Sequence, residues 1–127
     1  MTEAATMESM GMIQTSAALF AVAAAGGLVM AVIRLAGKRN PPHWLAMLHG
    51  FLAGAGLTLL IYAAFTTGLP SLAMAALVIF LIAGAGGVVL NLAYQIRQRP
   101  LPIGLTLGHS GLAIVAFGLL LLSLFFA

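Results

Sequence analysis

Two histidines, His49 and His109, stand inside otherwise apolar runs, "MLHGFLAG" and "LGHSGLAI". Imidazole is the commonest protein ligand for a metal and the side chain that titrates nearest to neutral pH. An ionisable group within hydrocarbon is expensive, so its presence marks a functional candidate. Helical spacings of three, four and seven bring Leu45, Ala46, Leu52, Ala53 and Gly56 onto the face of His49. The same spacings bring Leu105, Thr106, Leu112, Ala113 and Ala116 onto the face of His109. Small residues one and two turns from each imidazole leave room for a flat ligand, and the chemistry expected is metal ligation by a histidine pair.

The elements that position these residues come in two copies. With an offset of 60, Ala25-Gly26-Gly27-Leu28-Val29 falls on Ala85-Gly86-Gly87-Val88-Val89. Arg39 falls on Arg99, Pro42 on Pro102, Leu45 on Leu105, Leu52-Ala53 on Leu112-Ala113, and His49 on His109. Between Ala23 and Phe65, 14 of 43 positions match without a gap. The aligned Arg, Pro, Gly-Gly and His carry the repeat, because apolar matches alone arise from composition.

The chain of 127 residues is 63% hydrophobic and only 6% charged, against about 25% charged in an ordinary soluble domain. Four apolar stretches, approximately 13–35, 44–65, 71–95 and 103–126, are each long enough to cross about 30 Å of hydrocarbon. They form one transmembrane domain over residues 1–127, with repeat halves of approximately 13–66 and 73–126. Short connections favour an all-α, up-down-up-down four-helix bundle. Spans 2 and 4 then lie on one diagonal, and both carry a histidine. The positive charges of span 1 follow its apolar run, so it does not read as a signal peptide.

All five basic residues lie in two connections, 36–43 and 96–102, or at their edges: Arg34, Lys38, Arg39, Arg97 and Arg99. Short basic connections stay cytoplasmic, which puts both termini on the periplasmic side of a bacterial inner membrane. The net charge of +3 is therefore a topology signal, and nucleic acid is not an expected partner. His49 and His109 lie about 9 Å inside the cytoplasmic ends of their spans at 1.5 Å per residue. The pairs Gly26-Gly27 and Gly86-Gly87 lie about 12–14 Å deep by the same count, in nearly the same layer.

Two histidines facing each other across a bundle axis suit the axial positions of a haem iron. On this reading His49 and His109 are the metal ligands. Gly26, Gly27, Gly86, Gly87, Ala53 and Ala113 make space for one macrocycle, and Arg39 and Arg99, with the neighbouring cations, neutralise its propionates. With these residues the chain resembles the integral-membrane b-type cytochromes, the b561-like proteins among them. The resemblance implies one bis-histidine haem b and an electron-transfer role, with quinone/quinol or a larger respiratory or redox complex as partner. Such a chain reads as an electron-transfer protein or redox subunit ahead of a stand-alone enzyme. It departs from the family members that carry two histidine pairs, since the outer half holds none. About 20 Å of hydrocarbon would be left unbridged, so electron transfer across the whole bilayer is not expected of this chain alone.

Two other readings use the same residues: a cofactor-free accessory or assembly subunit of a membrane complex, and a transition-metal handling protein. A homo-oligomer is compatible with each. His43 has no histidine in the second copy and sits beside Trp44 in the interfacial belt. Met7, Met10 and Met12 read as an interfacial turn, with soft thioethers that suit Cu(I) as the alternative. Asn91, Tyr94 and Thr106 read as helix-interface polar groups, and Asn91 also as a partner for a macrocycle edge. With no cysteine, disulfides, Fe–S clusters, thiolate metal sites and covalently attached c-type haem are excluded. No carboxylate lies within a span, which argues against a proton-coupled cation exporter. Neither a Gly-rich phosphate loop, a nucleophile–base pair nor a carboxylate pair is present for hydrolysis or phosphoryl transfer.

Overall fold

Proline and glycine divide the chain into its elements. A computed structural model describes residues 2–126. Its helices are α1 (Glu3–Gly37), α2 (His43–Thr66), α3 (Ser71–Val89, continuing as a π-helical turn over Leu90–Gln95) and α4 (Ile103–Ser123). Pro42, Pro70 and Pro102 stand at the N-caps of α2, α3 and α4, where a missing N–H removes no helical hydrogen bond. Gly68, at φ 81°, donates its N–H to Ala63 O at 2.8 Å and turns the chain between α2 and α3. The repeat reaches the backbone: among the described residues Lys38 and Gln98, 60 positions apart, are the non-glycine residues with positive φ, at 53° and 54°.

Each of the four helices is long and apolar enough to cross a membrane. Their outer faces carry large exposed apolar side chains such as Val22, Phe51, Phe65, Val78 and Ile114, a surface that suits lipid and not water. Three spans keep the extents expected from the sequence to within a few residues. The first is longer at its N-terminus. Thr2 Oγ1 accepts the N–H of Ala5 at 3.1 Å and Glu3 lies in the first turn, so the helix is capped and favourably charged there. Met7, Met10 and Met12 therefore belong to a helix and not to a turn. At 35 residues, α1 is about 52 Å long, and Ser9 Oγ ties its overhang to Gly68 O at 3.0 Å.

The bundle is built from two hairpins, α1 against α2 and α3 against α4, which meet along the α2–α3 and α1–α4 seams. The core that joins them occupies the end of the bundle nearer the termini. Ile13 and Phe20 of α1, Leu60 of α2, Leu77 and Phe80 of α3 and Leu120 of α4 are buried in one cluster. Phe20 and Phe80, themselves 60 positions apart, stack with ring centres 3.8 Å apart and planes 3° from parallel. They mark the pseudo-twofold axis. Gly56 lies under this stack: a Cβ there would stand 3.0 Å from Phe20 Cε2. So Gly56 receives a phenyl ring instead of making space near His49. Beside it, Ser16 Oγ donates to Gly56 O at 2.8 Å.

Toward the basic connections the packing changes character. No residue from Ala24 to Gly37 in α1, or from His43 to Ala55 in α2, is fully buried. Polar clasps hold this end together. Asn40 Nδ2 donates to Arg99 O at 2.7 Å, and Asn40 Oδ1 accepts the Leu101 N–H at 3.0 Å. Arg34 Nε donates to Leu101 O at 2.8 Å, and Gln95 Nε2 to Pro41 O at 2.8 Å. Aliphatic contacts thus close one end of the bundle and hydrogen bonds the other.

Replacing Gly56 by Val overpacks the stacked phenylalanines, with an expected loss of about 1–3 kcal/mol. A thermal unfolding series in detergent should show a lower midpoint for this variant. Gly54→Val, at a position where a Cβ meets nothing within 4 Å, should leave the midpoint nearly unchanged.

Candidate functional site

Inside each hairpin a histidine reaches across to its neighbouring helix. His49 Nδ1 lies 2.8 Å from Ala23 O, and His109 Nδ1 lies 2.7 Å from Ala83 O. A carbonyl oxygen only accepts, so Nδ1 carries the hydrogen in both rings and the lone pair is left on Nε2. The acceptor is four residues before Gly27 or Gly87, so the same carbonyl also takes that glycine's helical N–H.

The glycine explains how the ring reaches the carbonyl. A Cβ on Gly27 would lie 3.1 Å from His49 Cε1, and one on Gly87 would lie 3.0 Å from His109 Cε1. Both distances are too short for an unshifted side chain. Gly27 and Gly87 therefore seat the imidazoles themselves. Their partners are less crowded: a Cβ on Gly26 would meet Leu45 Cδ1 at 3.8 Å, and one on Gly86 would meet His109 Cβ at 3.9 Å. Both are ordinary contacts. Gly26 and Leu45 instead help to shape an apolar groove of about 350 Å³ between α1 and α2, in which His49 also takes part.

Across the axis the two imidazoles face each other, with ring centres 6.2 Å apart and planes at 76°. The rings are not in van der Waals stacking. Two metal–imidazole bonds of about 2 Å, with about 1 Å more from each nitrogen to its ring centre, separate ring centres by about 6 Å. The spacing of the ring centres is that of two imidazoles on one metal ion. Among the described residues no group of three or more His, Cys, Asp or Glu is placed to hold a metal.

The remaining expected residues take unequal places. Ala53 and Ala113 are half-buried, and Ala53 packs against the core near the stacked phenylalanines. Arg39 is exposed and lines a cavity of about 570 Å³ at the basic end, together with Arg34, Lys38, His43 and Gln95. Arg99 is exposed and contributes its backbone carbonyl to the clasp with Asn40. The two arginines aligned by the repeat are thus used differently.

Sequence reasoning missed the carbonyls of Ala23 and Ala83. Their signal was present, since both alanines match across the repeat and both precede the matched glycine by one helical turn. It also missed the π-helical turn, in which Ile96 N–H bonds to Asn91 O at 2.9 Å. Asn91 Oδ1 and Gln95 Oε1, buried on this turn, have no hydrogen-bond partner. The equivalent positions in α1 are Ala31 and Leu35, and there the helix is regular.

Gly27→Ala should push the His49 ring off Ala23 O while leaving His109 in place, and Gly87→Ala should do the reverse. Nitrogen-15 spectra of histidine-labelled protein in detergent read this directly. Besides the signals of His43, assigned from a His43→Gln chain, two Nδ1–H imidazoles are expected in the parent chain and one in each variant. Two unchanged signals in Gly27→Ala would show that the glycine does not seat the ring.

In comparisons with protein-family models, with curated proteins and with solved structures, the chain matched none.

Proposed function

We propose that the chain is a membrane-embedded b-type haem protein of electron transfer, with one haem held between His49 and His109. The observation that carries this reading is the pair of facing imidazoles, 6.2 Å between centres, each with Nδ1 tied to a carbonyl of the neighbouring helix. Metal-ligating histidines characteristically donate their second ring N–H to such an acceptor, which fixes the tautomer and strengthens the ligand. A haem would need two ligands from the protein, and His49 and His109 would be those two. A tetrahedral zinc site would need more from the protein.

Haem iron coordinated in this way supplies reversible one-electron chemistry. The chain's own residues do the rest. Ala23 O and Ala83 O hold the two rings at a fixed angle, and Gly27 and Gly87 let them approach. The phenylalanine stack closes the bundle on the terminal side, which leaves the basic end as the side from which electrons exchange. Arg39 and Arg99 supply positive charge for carboxylate groups at that end. A haem held by both His49 and His109 would supply electron transfer in preference to binding of a substrate at the metal. By the charge of its connections the basic end is cytoplasmic and the termini periplasmic, in a bacterial inner membrane. The electron partner is then a quinol or a redox subunit on the cytoplasmic side. In its paired membrane histidines the chain resembles the b561-like cytochromes.

Protein purified from cells supplied with a haem precursor should show a Soret band and a reduced-minus-oxidised spectrum of low-spin six-coordinate haem, at one haem per chain. His49→Ala and His109→Ala should each abolish that spectrum or convert it to a five-coordinate form. Absence of a Soret band after haem supply and reconstitution would overturn the proposal, and so would a spectrum that survives either substitution.

A further inference from the structure

The cavity at the basic end lies outside the histidine layer and has its own chemistry. Arg34, Lys38, Arg39 and His43 line it together with Asn40 and Gln95. The carboxylate side chains of the chain, Glu3 and Glu8, stand at the other end of α1, about 39 Å or more from Arg34 along the helix. No acid balances the cations here. Arg34 is held by its Nε hydrogen bond to Leu101 O, so its two terminal amino groups are left to form a fork for an anion. Lys38 and Arg39 are exposed at the rim.

A second observation narrows the ligand. Gln95 lines the same cavity, is 8% exposed, and bonds Pro41 O through Nε2 at 2.8 Å. Because that carbonyl accepts only, the amide cannot turn over, and Oε1 is held as an acceptor without a donor. Cations line the cavity and an acceptor without a donor is buried in its wall, so a ligand that carries a negative charge and a hydrogen-bond donor satisfies both once the wall gives to admit the donor. His43 and Trp44 open α2 at this level, and Trp44 is exposed. Tryptophan there places the cavity mouth in the headgroup layer of a membrane. Basic pockets between helices on this side of a bilayer are suited to anionic headgroups.

We propose that this cavity binds a glycerol phosphodiester, the headgroup of phosphatidylglycerol. Arg34, Lys38 and Arg39 take the phosphate, and a glycerol hydroxyl donates to Gln95 Oε1. Phosphatidylethanolamine also offers a donor, but its ammonium is repelled by the same cations. Phosphatidylcholine offers neither net charge nor donor. Free glycerol phosphate shares the headgroup chemistry without the acyl chains.

The test uses the full chain in mixed micelles, titrated separately with phosphatidylglycerol, phosphatidic acid, phosphatidylcholine, phosphatidylethanolamine and free glycerol phosphate. Retained lipid is read by native mass spectrometry and stabilisation by thermal shift. Phosphatidylglycerol should be retained in preference to the other lipids, and this preference should weaken with salt. Lys38→Gln and Arg39→Gln should each weaken it about fivefold, as expected for one interfacial charge. Gln95→Met should keep the charge dependence and lose the preference for the hydroxylated headgroup over phosphatidic acid. Equal retention of phosphatidylcholine would overturn the proposal. Stabilisation by free glycerol phosphate at least as strong as by the lipid would refute the lipid as the source. Preference seen in the haem-free His49→Ala/His109→Ala chain but absent from haem-loaded protein would assign the cations to the haem carboxylates instead.

Discussion

The hydrogen bond from an imidazole Nδ1–H to the carbonyl one helical turn before a glycine is the contact on which the rest of the structure turns. It appears twice, at His49–Ala23 and His109–Ala83, with lengths of 2.8 and 2.7 Å. A helical carbonyl already engaged by its own N–H can accept a second donor only if the donor can get close, and a Cβ at position 27 or 87 would stand in the way. So the glycine, the carbonyl and the histidine form one device. It sets the tautomer and satisfies in hydrocarbon a polar hydrogen that would otherwise be costly to bury. The spacing of the two rings is then set by how the hairpins meet, at the phenylalanine stack and the aliphatic core.

That division of labour separates what could be read in the sequence from what could not. The four spans, the repeat and the pairing of His49 with His109 follow from hydropathy and from the aligned Arg, Pro, Gly-Gly and His. Hydropathy marks the first span only from about residue 13, because the overhang of α1 is polar enough to end a hydropathy run, whereas Thr2 and Glu3 start the helix itself earlier. In the sequence the glycines read as space for a ligand, whereas Gly27 and Gly87 seat the rings and Gly56 seats Phe20. Small residues look alike in a sequence whatever they make room for. A backbone carbonyl is harder still, because every residue has one and only tertiary contact selects Ala23 and Ala83.

The two ends of the bundle solve different problems. Near the termini the helices bury Ile13, Leu60, Leu120 and the stacked rings, and dispersion between well-fitted side chains holds them. Near the basic connections few side chains are buried, and the clasp of Asn40, Arg34 and Gln95 on backbone groups of the opposite connection takes over. This arrangement keeps the histidine layer from being squeezed shut by a continuous core. It also lets the second hairpin differ from the first, with a π-helical turn that brings in Asn91 and Gln95 where α1 has Ala31 and Leu35. Such turns occur disproportionately at functional sites.

Each hairpin holds one carbonyl, one seating glycine, one histidine and one axial phenylalanine. A contact in which a residue meets its own equivalent across a twofold axis is the kind that two copies of a single chain make with each other. Half of this protein, paired with itself, would assemble the same facing imidazoles. Joining the halves frees the second copy from obeying the symmetry of the first. An unpartnered amide oxygen at the basic end would occur twice in such a dimer, whereas the fused chain confines it to one side and gives an otherwise symmetric bundle a front and a back.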